Sequence, residues 1–596
     1  MKKIYLLVTS LIVSVCFSQN TYIPNPEFEQ ALIDLGYDSG AIDHYVPSAN
    51  IAGVTTIDLG FEGSLEGLED FTSLIELHIT NPTLESLDLT NNVALQTLTI
   101  YSYSSNFDAL DLSQNTALTT LEVWSASLND LDLSQNTNLN KLTLYCLSDF
   151  PYSYDISALS ALEEFKLSAN ITQIDVAANA ALKKLDVTSS NFAITDTPIY
   201  FPDNNALTTV WLSAPIANDS FLNNLPMVKN MVIMSNAIES FDSTPLPALK
   251  TLHLVSDTLD TLVVSGNPAL EILSVGPMNA PGNLVEALDV TQNTELKALH
   301  FIGSDAITNL DVSHNLKLEL LNVHGGFSTL DISHNIKLKE LAIGYSQIDA
   351  IDTSQNQSLE TFRLYHSSIS SVDLSQNPLI YYVMIADVPL TEIDLANNPA
   401  LQTLALREIS TMTNVDLGQN PDLVSFEASN TSLTNIDLSN NPDLLYTILT
   451  DNVQLNAVDL RNGNNEAMHT LYIIGNPELH CVYVDDAAAA YMNNDVWLYG
   501  FYDGNGYAND EAGCALSTDQ PQQQQMMVTP NPASDYIIFG DGNKIPDLVT
   551  VYDMTGKIIA RFDNQNQLDV SSLSKGIYLV RIQTGGNESV TKLVKL

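Results

Sequence analysis

Basic side chains are scarce in this 596-residue chain: 22 Lys and Arg stand against 71 Asp and Glu, a formal net charge of −49. A surface of that sign repels phosphate backbones and anionic lipid, which excludes nucleic acid and acidic membranes as partners. Divalent cations, basic proteins and uncharged glycans stay open. Cysteine is nearly absent, with four residues in all. Cys16 lies in an N-terminal apolar run and Cys146 stands alone on a repeat. Cys481 and Cys514 bracket a non-repeating segment, where an exported protein permits a disulfide. The marks of common chemistries are missing too. The chain has no Gly-rich phosphate loop, nucleophile elbow or HExxH zinc helix, and its ten histidines are scattered. The expectation is therefore a protein that is not an enzyme, with no catalytic residue and no resident cofactor. Long apolar runs are lacking as well. The one candidate, Ile4 to Phe17, follows Lys2 and Lys3 and precedes small Ser18. It reads as a secretory signal peptide over residues 1–18. No later stretch reaches the roughly 18 to 20 apolar residues of a membrane span.

What the chain has is repetition. The hexapeptide LDLSQN at Leu110 returns at Leu131, and its Asp recurs as Asp88, Asp111, Asp132, Asp155 and Asp175, then from Asp289 to Asp459. A period near 21 residues sustained over most of the chain means a solenoid rather than several globular domains. Each unit has a second half of the form LxxLxL, as in Leu118-Thr-Thr-Leu121-Glu-Val123. Both halves alternate with period two, so each reads as a short strand with one buried face. The leucines fill the interior. The Asn at one corner tolerates tight backbone and can bond orphaned main-chain groups, or its neighbours along the stack. The Asp points outward, and coils stacked at about 4.8 Å bring like charges together, which should repel. Ser or Thr two residues on can donate to it. The competing reading is calcium bridging by stacked carboxylates such as Asp352, Asp373 and Asp394. A second calcium candidate is "DGNGYANDE", with Asp503 and Asn505, although Tyr507 and Ala508 break the loop pattern.

The pattern resembles the leucine-rich repeat over Ile57 to Pro477. It departs in placing the regular Asn after the LDLS half rather than after LxxLxL. The resemblance implies a mainly β fold: a right-handed leucine-rich-repeat solenoid of short ~21-residue coils with parallel sheets, capped at both ends. Residues 19–56 form the N-terminal cap, with one amphipathic helix turning Phe28, Leu32 and Leu35 inward. Residues 57–477 are the solenoid, and 478–516 a C-terminal cap stapled by Cys481 and Cys514. This cap resembles that of secreted leucine-rich-repeat proteins of Gram-negative bacteria. A Gln-rich linker spans 517–527. Residues 528–596 read as a small Ig-like β-sandwich that resembles the type A C-terminal sorting domain of the type IX secretion system. The residues carrying that likeness are Pro530, Asn531, Pro532, Asp553, Gly556, Lys557, Gly576, Tyr578, Lys592 and Lys595. The resemblance implies the type IX machinery as partner, release or anchoring at the outer cell surface, and removal of the tail.

The outward positions of the LxxLxL strand vary in kind while the interior stays monotonous. They include Trp124, Tyr145, Trp211, His253, His300, His324, Arg363, Tyr365 and Arg407. Exposed residues of these types suit contacts with protein or glycan. The expected function is adhesin-like recognition of an extracellular protein or glycan. The alternative is a calcium-dependent structural or surface-layer component built on the Asp ladder.

Overall fold

The computed structural model describes residues 19–125, 128, 131–146, 154–189, 197–201, 206–278, 285–489, 492, 507–508, 528–529, 533, 535–539, 545–553, 557–563, 565, 567–584 and 587–595. Each LxxLxL segment forms one parallel strand. Among the described residues twenty such strands pair in chain order, from Thr56–Leu59 to Thr470–Ile474. The register holds equivalent residues opposite one another: Leu98 faces Leu121, which faces Leu142. All three are fully buried, and each such leucine contributes about 1.5–3 kcal/mol by leaving water. One hydrophobic core runs from Ile23 to Met492 without a break.

The LDLS half behaves differently from the expected second strand. Among the described residues only short pieces pair there: Ile174–Asp175 with Ile199–Tyr200, Ser240–Asp242 with Thr261–Val263, the series Asn435–Asp437, Ala457–Asp459, Cys481–Tyr483 and Tyr507–Ala508, and an isolated bridge between Asp373 and Asp394. Elsewhere the main chain of this half bonds within its own coil. The Asn315 N–H donates to the Val312 carbonyl at 3.0 Å, and the Leu318 N–H donates to the Asn315 carbonyl at 3.0 Å. Groups spent in a turn are not available to a ladder. The second sheet is thus fragmentary.

The conserved spacing of Asn places its amide in the interior, wholly out of solvent. The Asn335 side-chain NH2 donates to the Val312 carbonyl and to the Asn315 carbonyl, both at 3.0 Å and both in the preceding coil. Asn356 repeats this on Ile332 and Asn335. The ladder therefore runs from amide to main chain, the first of the two arrangements expected of this corner, and not from amide to amide. At most rungs the amide oxygen finds no donor. At the rung of Asn462 it takes the Asn464 N–H, and two other coils supply a donor from a hydroxyl. Where the last leucine of LDL is replaced by Ser243 or Thr353, its hydroxyl donates to the amide oxygen of Asn267 or Asn377.

At the N-terminal end, Asn25 caps the helix Pro26–Asp34 by accepting the Glu27 N–H at 2.9 Å, and Pro26 occupies the first turn. Phe28 and Leu32 are buried on the first coils, but Leu35 is half exposed, because it caps the helix rather than continuing its apolar face. Glu29 is buried and accepts the N–H groups of Asp43 and His44 at 2.6 and 2.7 Å. In the C-terminal segment Cys481 is disulfide-bonded, while Cys514 lies outside the described residues. The tail has two antiparallel sheets around one core of its own, which includes Ile537, Val551, Val580 and Leu593.

Candidate functional site

Three rows of side chains project from the large sheet, because every second residue of each strand points away from the core. The first cluster lies on the strands Thr97–Ser102, Thr120–Ser125 and Lys141–Cys146. Tyr101, Trp124 and Tyr145 are opposite one another in register. Their ring centroids stand 5.7 and 3.6 Å apart. Glu122 accepts both the Tyr101 hydroxyl and the Trp124 indole N–H at 3.0 Å. The Lys166 ammonium lies 5.5 Å from the Tyr145 ring centre and 2.8 Å from Asp186. Those contacts raise the Lys166 pKa, with the Asp186 hydrogen bond as the largest cause. Trp124 and Tyr145 were expected to be exposed; they are half-buried and spend their ring faces on each other.

The second cluster spans Leu320–His324, Glu340–Ser346, Thr361–Ser367 and Tyr382–Ala386. Here Tyr365 lies across the neighbouring coil, over Gly344, and its hydroxyl meets His324 Nε2 two strands away. A side chain at position 344 would strike the Tyr365 ring, so only glycine fits beneath it. Tyr365 is half-buried as a result, and burial raises its phenol to about 12. Burial, with a smaller contribution from neighbouring His300, lowers His324 to about 4. The Arg363 guanidinium sits 4.9 Å from the Tyr382 ring centre and 3.9 Å from Glu340. Arg407 is exposed, but both oxygens of Glu427 take its guanidinium at 2.6 Å. Between the clusters stand His253 and His300, half-buried and with lowered pKa values through burial, and Trp211, which is 42 % exposed.

The structure thus brings His300, His324 and Tyr365 together, and separately Trp124 with Tyr145. It leaves Trp211 apart from both. Sequence reasoning placed Glu122 on the outward face without giving it a role, and it missed Glu427; both stand at outward positions of the same alternation. It also missed a column at the strand ends. Tyr345, His366, Asp387, Glu408, Asn430 and Asp451 all adopt left-handed backbone on successive coils, φ 47 to 56°. Each costs on the order of 1 kcal/mol or more for a non-glycine residue. Main-chain bonds hold them: the Asp387, Glu408, Asn430 and Asp451 N–H groups each donate to the next coil at 2.8–3.0 Å. Tyr345 stacks on His366 at 4.4 Å, and His366 meets Asp387 at 2.6 Å. No glycine marked these positions.

The Asp candidates resolve into local turns. Oδ1 of Asp352, Asp373 and Asp394 each accepts the N–H two residues on, at 2.9 Å. This bond, with the following Ser hydroxyl, lowers the pKa of Asp352 and Asp373. Among the described residues no group of three or more His, Cys, Asp or Glu side chains is placed to hold a metal ion. Asp503 and Asn505 lie outside them. In the tail, Pro530, Asn531, Pro532 and Gly556 are likewise outside. Asp553 ends the strand Leu548–Asp553, and Gly576 opens Gly576–Thr584. Tyr578 is buried and donates to the Ser574 carbonyl at 2.9 Å, Lys595 is nearly buried, and Lys557 is exposed. Lys592 stands on the last strand, opposite Leu579.

Stacked LxxLxL strands over a buried Asn ladder, followed by a separate two-sheet tail, define a leucine-rich-repeat solenoid protein. Residues 527–596 match the secretion system C-terminal sorting domain, so the chain is a type IX export substrate, delivered to the cell surface or secreted. Among solved structures, the chain is similar to the functional domain of InlJ from Listeria monocytogenes, at 18% identity and a TM-score of 0.35, covering 97% of this chain and 99% of that one. A leucine-rich-repeat protein of Leptospira interrogans shares 14% identity at a TM-score of 0.36, over 68% and 94% of the two chains. An internalin (inlF) from Listeria monocytogenes shares 16% at 0.34, over 66% and 96%. The search of curated proteins finds no match. Among the described residues no helix is long and apolar enough to cross a membrane.

Proposed function

We propose that the solenoid is a non-enzymatic recognition module whose outward strand face binds an extracellular protein or glycan, and that the tail serves only export and is then removed. One observation carries this reading. Interior rows and the Asn corner repeat nearly unchanged from coil to coil, whereas outward positions along the sheet change from Lys to Trp, His, Asn, Arg and Tyr. Stacking alone demands the first kind of uniformity and makes no demand on the second. Arrays of extracellular-matrix proteins and glycans probed with the exported protein would test it. Binding should fall at least tenfold in a variant carrying Trp211→Ala, Arg363→Ala and Tyr472→Ala, with an unchanged melting curve. A ligand that still binds this variant fully would overturn the face reading.

A second reading rests on the acidic groove of about 430 Å³ lined by Asp311, Asp331 and Asp349. It makes the Asp turns a calcium-dependent structural element. Against it stands the use of one oxygen per Asp by its own turn.

A further inference from the structure

We propose that the six strands from Thr209–Ser213 to Leu320–His324 form the binding window of the outward face, and that its occupant is an uncharged glycan. This rests on the reading of the face as a recognition surface. The six strands are consecutive in the sheet. Their eighteen outward positions hold no Asp, Glu, Lys or Arg, and every one is at least partly exposed. In a chain of net charge −49 that is a large neutral area. Ion pairs frame it on three sides. Lys166–Asp186 and Lys184–Glu164 close the strands before it, at 2.8 and 2.6 Å. Glu340–Arg363 stands beyond it at 3.9 Å. Along the strand starts, Glu271 is held between Lys250 and Lys297 at 2.6 and 2.7 Å.

Charge selects the occupant first. Anionic glycans, nucleic acids and a second copy of this chain all meet a strongly acidic molecule and are repelled. A strongly cationic partner gains nothing from a window without carboxylates; the Asp turns elsewhere on the coil would hold it better. A neutral occupant remains.

Size and hydrogen-bond chemistry select next. Six strands at about 4.8 Å and five residues at about 3.3 Å give a footprint of roughly 29 by 17 Å, near 500 Å². Stable protein interfaces bury about 800 Å² on each partner, so the window is small for a protein. Nine of the eighteen positions carry Ser, Thr, Asn or His. Each of these side chains, with the imidazoles neutral, both donates and accepts, as a sugar hydroxyl does. The remaining positions are mainly apolar, among them Val232, Met234, Val255 and Ile302, and Trp211 offers an exposed ring to the C–H face of a sugar.

The test is an array of unsubstituted polysaccharides (dextran, mannan, xylan and β-glucan) beside sulfated and uronic-acid ones, probed with the exported protein. The best neutral binder is then titrated against variants. Trp211→Ala and His300→Ala should each weaken binding about tenfold or more, while Gln114→Ala, at an exposed corner off the strand face, should leave it unchanged. Because no charge is involved, affinity should stay within about twofold between 20 and 500 mM salt. Binding of acidic glycans alone, loss of binding at high salt, or full binding by the Trp211→Ala/His300→Ala double variant would each overturn the proposal. A ligand lost on Arg363→Ala but kept by that double variant would also overturn the window while leaving the face reading intact. A protein ligand that needs Trp211, with no glycan bound, would overturn the glycan assignment alone.

Discussion

Asp352 and Asn356 lie four residues apart in one LDLSxN-type stretch, nearly equal in shape, and both recur coil after coil. Their surroundings differ completely. Asn356 is buried and bonds the preceding coil through two carbonyls, at 3.1 and 2.9 Å. Asp352 is exposed and accepts the N–H of Ser354 within its own turn. Regularity in a solenoid thus has two separate physical causes. The Asn column repeats because each rung completes the one before it, so a change is felt by two coils. The Asp column repeats because each coil needs the same local turn, which any acceptor of that length can close. Exchanging the two residues should expose this asymmetry.

The largest effect belongs to Asn335→Asp. The substitution removes both donors from the Val312 and Asn315 carbonyls and places a carboxyl among buried acceptors, a cost of about 4 kcal/mol or more. Chemical denaturation of the exported chain would measure it. A cost below about 1 kcal/mol would show that the ladder does not bind coil to coil. Asn335→Ala should come next, at about 1–3 kcal/mol, because it takes the side-chain donor from the same two carbonyls, each of which keeps its main-chain N–H, without burying a charge. Amide exchange should then accelerate in the coils on both sides of position 335 and not at the distant ends. Uniform acceleration would argue against a nearest-neighbour solenoid.

Acid should separate the columns further. The turn bonds hold Asp352 and Asp373 below the usual carboxylate range. A carboxyl whose folded pKa is depressed gives its stabilisation above its unfolded value, near 4. It loses that contribution as pH falls through the folded value. Asn does not titrate. The melting temperature of the wild type should therefore fall more steeply between pH 4 and pH 2 than that of a variant with Asn at 352 and 373. Parallel slopes would mean that the turn bond does not favour the charged form.

The columns were legible in sequence because stacking gives each equivalent residue the same environment, so Leu, Asn and Asp recur at a visible period. What escaped depends on contacts that no period encodes. Tyr365 was placed on the right face but taken as free; its bed is Gly344 on one neighbouring coil and its partner His324 on the next. The left-handed column from Tyr345 to Asp451 escaped because side chains as different as Tyr, Asp and Asn adopt it under the pull of the next coil's carbonyls. The LDLS half looked like a strand because it alternates, yet alternation reports which side chains are buried and says nothing of where the backbone bonds go. Ser243 and Thr353 looked like lapses of the pattern, and instead each gives an amide oxygen the donor it lacks at most rungs.

The smallest expected effect sharpens the comparison most, because it asks whether the Asp column has any use for its charge. The Asn triple variant keeps an acceptor of the same length at positions 352, 373 and 394, so the three turns should close as before. Its melting temperature at neutral pH should lie within about 2 °C of wild type, the scale of surface substitutions in a protein this large. Calcium should change little. Each carboxylate has spent one oxygen on its turn, and successive coils offer the remaining one singly, whereas calcium takes six to eight oxygens. A millimolar site filled to half at millimolar calcium adds only about 0.4 kcal/mol by linkage, a shift of roughly 1 °C. Melting curves of wild type and triple variant, each with calcium and with chelator, give four numbers that decide the matter. A wild-type shift above about 5 °C that the Asn variant lacks would make the Asp column a cation-binding device and favour the structural reading of the protein. Four curves within about 2 °C would leave the Asp column a set of turns, with recognition resting on the variable face.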